Sequence, residues 1–171
     1  MYIKNNQLTI RNATKEDAET LATWWKDGSI MAHAGFPNGI DTCIDTLKKN
    51  LELQTDASKI LIIEFDSKSI GEMNYTIEEN VAEIGIKICD FAYQNHGYGT
   101  TLLKMLINFL FNDMKVKEIT LDTNLKNLRA QHVYEKLGFK KVRVNIDAWE
   151  NQIHELQSSV DYKLLKEDFI L

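Results

Sequence analysis

The feature that most constrains the fold of this chain is a strand-like run that leads through a glycine turn into a long apolar helix. The run Glu83–Cys89 has the composition of a β-strand, and the segment Gln94–Thr100 follows it with Gly97 and Gly99 separated by one tyrosine. Backbone amides at such a junction point at one spot, and the helix dipole adds roughly half a positive charge. Because the segment contains no Lys or Arg, phosphate binding here would depend on the backbone.

Two well-known phosphate-binding motifs do not match this segment. A Rossmann fingerprint needs a third glycine where Leu102 stands. A P-loop needs Gly-Lys followed by Ser or Thr, whereas Gly99 is followed by Thr100. A pair of glycines can also do no more than cap a helix, so the residues alone leave helix capping and phosphate binding both open.

The rest of the chain predicts a single α/β domain over residues 1–171. A length of 171 residues fits one domain, since domains take about 100–200 residues. Hydrophobic periodicity predicts an α/β pattern of about seven strands and about four helices, in which the three strands between Lys59 and Cys89 form an antiparallel unit joined by tight turns. The predicted strands are Leu8–Asn12, Lys59–Phe65, Ile70–Ile77, Val81–Cys89, Glu118–Thr123, Lys141–Asn145 and Ser159–Leu165, and the predicted helices are Lys15–Lys26, Asp41–Gln54, residues 98–113 and Asn127–Leu137.

Composition and charge exclude several classes of function. The net charge of -5 and the isoelectric point near 5.4 disfavour nucleic-acid binding, because nucleic-acid-binding domains usually have an isoelectric point above about 9. No apolar run approaches the roughly 18 residues of a membrane span, and the N-terminus lacks the apolar core of a secretion signal. Cys43 and Cys89 form no CxxC pair and the histidines show no metal-ligand spacing, which predicts a metal-free protein of the reducing cytoplasm.

Two blocks of sequence together resemble the GNAT N-acetyltransferase superfamily. The block QxxGxG at residues 94–99 matches the family's (Gln/Arg)-x-x-Gly-x-(Gly/Ala) signature, and NxxAxxxYxxxGF at residues 127–139 looks like its second helix and strand entry. The blocks occur in the family's order with a predicted strand between them. The resemblance implies the GNAT fold, which has a central, mostly antiparallel mixed sheet flanked by helices. It also implies acetyl-coenzyme A as co-substrate, no metal, and acetyl transfer to a primary amine.

The resemblance also implies a role for each matching position. Backbone groups of Lys87, Ile88 and Cys89 would pair with the pantetheine arm, which Asn127 would also contact. Tyr134 would be the general acid for the departing thiolate; the alternative is a core tyrosine on an amphipathic helix. The pyrophosphate would be held at Gln94, Asn95, His96, Gly97, Tyr98, Gly99 and Thr100, where His96 replaces the Arg or Lys that family members often carry.

Acetyl transfer to an amine also needs a base and a donor for the developing oxyanion. Glu83 is the candidate base, because it has the same offset from the glycine motif as the basic glutamate of histone-type family members. Other members use water chains, so a solvated or paired carboxylate is the alternative, and Glu72 on the preceding strand is the reserve candidate. No histidine lies near Cys89 to activate it, which favours direct transfer in a ternary complex over a cysteine-bound acetyl.

The acceptor amine is less constrained by the sequence. Trp24 and Trp25, with Glu72, are candidate acceptor-binding residues, since aromatic faces attract cations and sugars, and Trp149 is a candidate for an opposing wall. The chain resembles the branch that contains ribosomal-protein alanine, polyamine and aminoglycoside acetyltransferases. A small-molecule amine and a protein N-terminus both stay open as acceptor, as do a monomer and a homodimer. The alternative from another class is a noncatalytic acyl-coenzyme A binding or regulatory protein.

Overall fold

The computed structural model describes residues 1–171 and contains eight strands in one sheet and five α-helices. The strands are β1 (Tyr2–Asn5), β2 (Leu8–Asn12), β3 (Ser58–Phe65), β4 (Lys68–Glu78), β5 (Val81–Ile88), β6 (Glu118–Asn124), β7 (Lys140–Glu150) and β8 (Leu156–Leu165). The α-helices are α1 (Ala18–Lys26), α2 (Gly28–Met31), α3 (Ile44–Glu52), α4 (Tyr98–Asn112) and α5 (Leu128–Lys136). The order across the sheet is β1-β2-β3-β4-β5-β6-β8-β7, which confirms the predicted mixed α/β class.

The sheet opens in its middle, between β5 and β6. All neighbouring strands pair antiparallel except β5 and β6, which are parallel. A parallel pair needs a long crossover, and α4 lies in that connection. The two strands pair only from Val81 opposite Glu118 to Glu83 opposite Thr120. The later part of β5 therefore has no strand on one of its sides.

Helices cover both faces of the sheet, and each face has its own core. The larger core contains 25 buried residues, including the inner faces of α4 and α5. The smaller core contains six buried residues between the sheet and helices α1 and α3. Side chains alternate along β3, so that Leu61 and Ile63 face the larger core and Ile62 faces the smaller one. Residues of β4 and β5 that are in register with Ile62 therefore point toward α1 and α3.

The predicted antiparallel unit of three strands in the middle of the chain is confirmed as β3, β4 and β5. The departures from prediction are short or irregular elements: the sequence does not predict β1 or α2, α3 begins at Ile44 rather than Asp41, and β7 continues to Glu150 rather than ending at Asn145. The strand β1 is mostly exposed and α2 is a single turn, so neither has enough buried positions to show a period. None of the helices is both long and apolar enough to cross a bilayer.

Candidate active site

A cleft of about 810 Å³ lies where β5 and β6 diverge. Its walls are residues 83–88 of β5 and residues 121–124 of β6. Residues of α4 and α5 line it on one face of the sheet, and residues of α2 together with Trp149 line it on the other. The cleft can therefore be entered from both faces, which we call the α4 side and the acceptor side.

On the α4 side, the cleft leads to a turn with free backbone amides. Asn95 and Gly97 have φ of 65° and 79°, so left-handed residues immediately precede α4. None of the backbone N–H groups from Asn95 to Thr100 donates a hydrogen bond within the chain, and the Thr101 amide donates to the Gly97 carbonyl. A Cβ added to Gly97 would meet no atom within 4 Å. The turn is therefore open to a ligand, and its amides and helix end suit an anion such as a pyrophosphate.

Side chains around this turn hold its shape rather than supply charge. Gln94 Nε2 donates to the Ile88 carbonyl at 2.9 Å, which ties the turn to the end of β5. The His96 ring is exposed, and its Nε2 lies 3.1 Å from the Ala92 carbonyl oxygen. It stacks on Tyr98 with ring centroids 5.5 Å apart. The His96 side chain is therefore held by the Ala92 carbonyl and by the Tyr98 ring.

At the end of β5, backbone groups of alternate residues point toward the cleft, whereas the Cys89 side chain is buried. The Cys89 amide donates to the Ile70 carbonyl of β4 at 2.9 Å. Because backbone groups of successive strand residues point to opposite sides, those of Ile86 and Ile88 point toward the cleft. Burial and then the charge of Glu72 raise the pKa of the Cys89 thiol to about 12. The thiol therefore stays protonated, which is unfavourable for a nucleophile.

Tyr134 reaches the cleft from α5, a helix that Asn127 caps through its side-chain oxygen. The Tyr134 ring packs against Phe139 and Tyr162, with centroid distances of 5.9 and 5.7 Å. The residue is 8% exposed. Burial and then the charge of Asp122 raise the pKa of Tyr134 to about 12. The phenol therefore keeps its proton at neutral pH and can donate it.

Two carboxylates without ion pairs border the cleft, Glu83 on β5 and Asp122 on β6. Glu83 is the register partner of Thr120, so Asp122, two positions further along β6, points to the same face of the sheet as Glu83. Burial raises the pKa of Asp122, and the facing Asp161 raises it further. The sequence motifs did not indicate Asp122. The sequence feature that could have indicated Asp122 is its position as a carboxylate inside the strand that leads into the second motif.

Glu72, the reserve base, already has two donors. Its Oε1 accepts from Trp25 Nε1 at 2.9 Å and from Lys87 Nζ at 3.0 Å, and the residue is 7% exposed. Trp24 and Trp25 both pack against the smaller core, and neither tryptophan nor Glu72 lines the cleft. The structure thus brings Trp25 and Glu72 together and leaves Trp24 apart. Glu83 and Asp122 are exposed and have no ion-pair partner, so they are better placed than Glu72 to meet an acceptor amine.

Trp149 lines the acceptor side of the cleft, and residues 149–152 pack on the loop of residues 35–39; we call these two segments the roof. The Gln152 backbone amide donates to the Gly35 carbonyl at 2.8 Å, and its side-chain amide makes hydrogen bonds of 2.8 and 3.0 Å with the same loop. The Trp149 ring lies so close to Gly35 that an added Cβ there would be 2.4 Å from it. The sequence could not indicate this contact, because the two segments are far apart along the chain.

The histidines and cysteines do not form a cluster. No group of three or more His, Cys, Asp or Glu side chains is placed to hold a metal ion. Both cysteines are free, with Cys43 exposed and Cys89 buried. The functional groups that the cleft does offer are carboxylates, a protonated phenol and free backbone amides.

Known proteins with similar sequences and structures agree with this geometry. The sequence profile of the acetyltransferase (GNAT) domain matches residues 7–140. Aminoglycoside N(6')-acetyltransferase type 1 of Klebsiella pneumoniae is 27% identical over 152 residues, covering 80% of this chain and 76% of that protein. Spermidine N(1)-acetyltransferase of Vibrio cholerae serotype O1 is 26% identical over 141 residues, covering 79% of this chain and 80% of that protein. The structure of spermidine N-acetyltransferase from Vibrio cholerae in complex with CoA and spermine has a TM-score of 0.84 at 22% identity, covering 96% of this chain and 98% of that chain.

Proposed function

The chain belongs to the GNAT acetyltransferase family, and we propose that it acetylates a small-molecule primary amine by direct attack in a ternary complex with acetyl-coenzyme A. The general activity, acetyl-coenzyme A-dependent N-acetylation, rests on the domain match over residues 7–140 and on relatives that are N-acetyltransferases. These relatives also disfavour a noncatalytic acyl-coenzyme A binding role. The observation that carries the acceptor class is the pair of carboxylates, Glu83 and Asp122, on the acceptor side of the cleft.

A cationic amine is the ligand that these carboxylates suit. Glu83 and Asp122 lie on the two strands that border the cleft and point to one face, and no lysine or arginine neutralises either of them. An ammonium between them would be attracted by both charges. The aminoglycoside and spermidine enzymes similar to this chain act, by their names, on small amines, which supports a small molecule rather than a protein N-terminus.

The free amides on the other side fit acetyl-coenzyme A. The amides of Asn95–Thr100 would hold the pyrophosphate, and the backbone groups of Ile86 and Ile88 that point toward the cleft would pair with the pantetheine arm. The side-chain oxygen of Asn127 accepts the hydrogen bond that caps α5, so its side-chain amide nitrogen is free to contact the pantetheine arm. When bound, acetyl-coenzyme A supplies a thioester whose carbonyl carbon is open to the amine and whose sulfur can depart.

The side chains of the cleft divide the proton transfers between them. We assign Glu83 as the base that takes a proton from the ammonium, directly or through one water. Asp122, across the cleft, attracts and orients the ammonium. Tyr134 Oη is the donor to the departing sulfur, because its raised pKa keeps the phenol protonated at neutral pH. Cys89 has no part in the transfer, since its thiol is buried and protonated.

We also propose that the protein acts in the reducing cytoplasm, where both cysteines would stay free. Cys43 is exposed, Cys89 is buried and both are free, so the fold needs no pairing between them.

The function is tested by amine-dependent release of free coenzyme A. The purified chain would be assayed with a panel of aminoglycosides, polyamines and peptides, with Tyr134→Phe as the matched control. We expect turnover of at least one small amine and a kcat about 100-fold lower in Tyr134→Phe, with unchanged affinity for acetyl-coenzyme A. Turnover of peptides alone would contradict the acceptor class, and tight acetyl-coenzyme A binding without turnover of any amine would favour the noncatalytic alternative.

A further inference from the structure

A second cavity of about 660 Å³ adjoins the cleft on the acceptor side. Lys87 and Asn74 are the residues that line both cavities, so these two side chains stand between them. The wall of the second cavity includes Trp25, Met31 and Glu72. No step of the proposed mechanism uses this cavity.

The groups that contact the Lys87 ammonium could equally bind the ammonium of a substrate. Its Nζ lies 3.0 Å from Glu72 Oε1 and 3.3 Å from the Met31 sulfur. The same Glu72 oxygen accepts from Trp25 Nε1 at 2.9 Å. Glu72 is buried whereas the Lys87 side chain is 27% exposed, so the lysine closes the carboxylate off from the cleft. A buried carboxylate that holds an ammonium is stabilised by that contact.

We propose that Lys87 determines acceptor specificity: its ammonium occupies a second amine site at Glu72 and thereby confines the acceptor to the first cavity. This inference rests on the proposed function and narrows its substrate class. In the first cavity, Glu83 and Asp122 flank a position for one ammonium, and the next carboxylate on this face, Glu72, is already paired with Lys87. The acceptor is therefore a compact amine whose remaining groups are neutral, such as an amino sugar, in preference to a linear polyamine.

The spacing of the two carboxylates explains why a polyamine is the acceptor that Lys87 excludes. Glu72 is four residues from Thr76 on β4, and Thr76 is the register partner of Glu83. At about 3.3 Å per residue, Glu72 and Glu83 are about 13 Å apart along the strands on one face. An extended linear triamine covers a comparable length, so its far ammonium would reach the position that Lys87 Nζ fills. There it would meet a like charge.

The test removes the lysine and measures binding rather than turnover. Spermidine and glucosamine would be titrated calorimetrically into the coenzyme A-loaded protein, as wild type and as Lys87→Met. We expect the ratio of spermidine to glucosamine affinity to rise about tenfold in Lys87→Met, because Glu72 becomes free to bind an ammonium. An unchanged ratio would overturn the proposal.

Two further variants separate the role of Lys87 from a general effect of charge. Lys59→Met is the matched control, because Lys59 also lines the second cavity but pairs with Asp56. We expect the ratio of spermidine to glucosamine affinity in Lys59→Met to equal that of wild type. In the double variant Lys87→Met/Glu72→Gln, the ratio of spermidine to glucosamine affinity should return to the wild-type value. A higher affinity ratio in Lys59→Met would overturn the assignment. A ratio that stays high in the double variant would overturn it as well.

A second substitution keeps the test valid if Lys87→Met does not fold. Lys87→Gln removes the charge but can still donate a hydrogen bond to Glu72, so a smaller rise of about threefold is expected, and an unchanged ratio again overturns the proposal. Failure of the proposed function is seen separately, as a wild-type protein that releases no coenzyme A with any amine. The affinity ratio decides the role of Lys87 in either case, since it does not depend on turnover.

Discussion

The two sides of the cleft hold their ligands in different ways. On the α4 side, the groups proposed to bind the ligand are the amides of Asn95–Thr100, and the backbone conformations that orient them belong to the same residues. On the acceptor side, the groups come from distant parts of the chain. Trp25 reaches Glu72 across 47 residues, and Gln152 reaches Gly39 across 113.

The packing behind the two sides differs as well. The α4 side lies on the core of 25 buried residues, whereas α1 and α3 on the acceptor side share a core of six. A small core with few apolar contacts opens more readily than a large one. In the proposed site, acetyl-coenzyme A binding therefore depends on a local segment that lies on the larger core. Acceptor choice depends on long-range side-chain contacts that are easier to change.

The largest expected effect is at Glu83, where the two sides meet. Glu83→Gln keeps the shape of the side chain but removes the proton acceptor, so we expect kcat to fall about 100-fold with unchanged affinity for acetyl-coenzyme A. Steady-state kinetics and calorimetry measure the two quantities. Glu78→Gln, at an exposed end of β4, is the matched control. A wild-type kcat in Glu83→Gln would show that a water chain or Asp122 takes the proton.

Gly97→Val tests whether the α4 side depends on local backbone. The new side chain would fill the open space beside the free amides, and φ of 79° is strained for valine. We expect acetyl-coenzyme A to bind about 100-fold more weakly, while circular dichroism shows a folded protein. Gly99→Ala is the control, because its Cβ would lie 3.9 Å from Ile88 Cδ1, an ordinary contact. Equal affinities of Gly97→Val and wild type for acetyl-coenzyme A would show that the pyrophosphate does not bind at this turn.

Gln152→Ala tests whether the acceptor side depends on long-range contacts. The change deletes the side-chain hydrogen bonds to the loop of residues 35–39, so the roof loosens and the acceptor KM should rise about tenfold. The affinity for acetyl-coenzyme A should not change. Gln7→Ala, which breaks a single exposed bond to Asp66, is the control. If both ligands lost affinity equally in Gln152→Ala, the two sides would not be independent.

The smallest expected effect is a pH dependence of acceptor binding. Burial and the facing Asp161 raise the pKa of Asp122, so Asp122 is protonated at a pH where an ordinary aspartate is ionised. Only the ionised form attracts an ammonium, so the acceptor KM should rise about threefold as pH falls through this raised pKa. Asp122→Asn should abolish the rise, and Asp161→Asn should move it to lower pH. A KM profile that is identical in all three proteins would exclude Asp122 from the site.

The sequence predicted most of the sheet because its strands are short runs rich in β-branched and aromatic residues, as in β3, and it predicted α4 because of its long apolar stripe. It also indicated the turn residues 95–100, Glu83 and Tyr134 as candidates, since each lies at a fixed offset within or beside a motif. It did not indicate Asp122, the roof, or the pairing of Glu72 with Lys87. Whether Asp122 points to the acceptor side depends on the register of β5 and β6, and no local pattern contains that register.

The sequence by itself therefore determined the parts of the protein whose geometry is local. The left-handed residues before α4, its unpaired amides and the tyrosine of α5 all follow from short segments, because backbone conformation depends mainly on neighbouring residues. Only the tertiary structure decided which carboxylates are free and which are neutralised. Glu83 and Glu72 are the same residue type on adjacent strands, yet only Glu72 meets a lysine and an indole. The charge state and availability of a side chain depend on the groups that folding brings next to it.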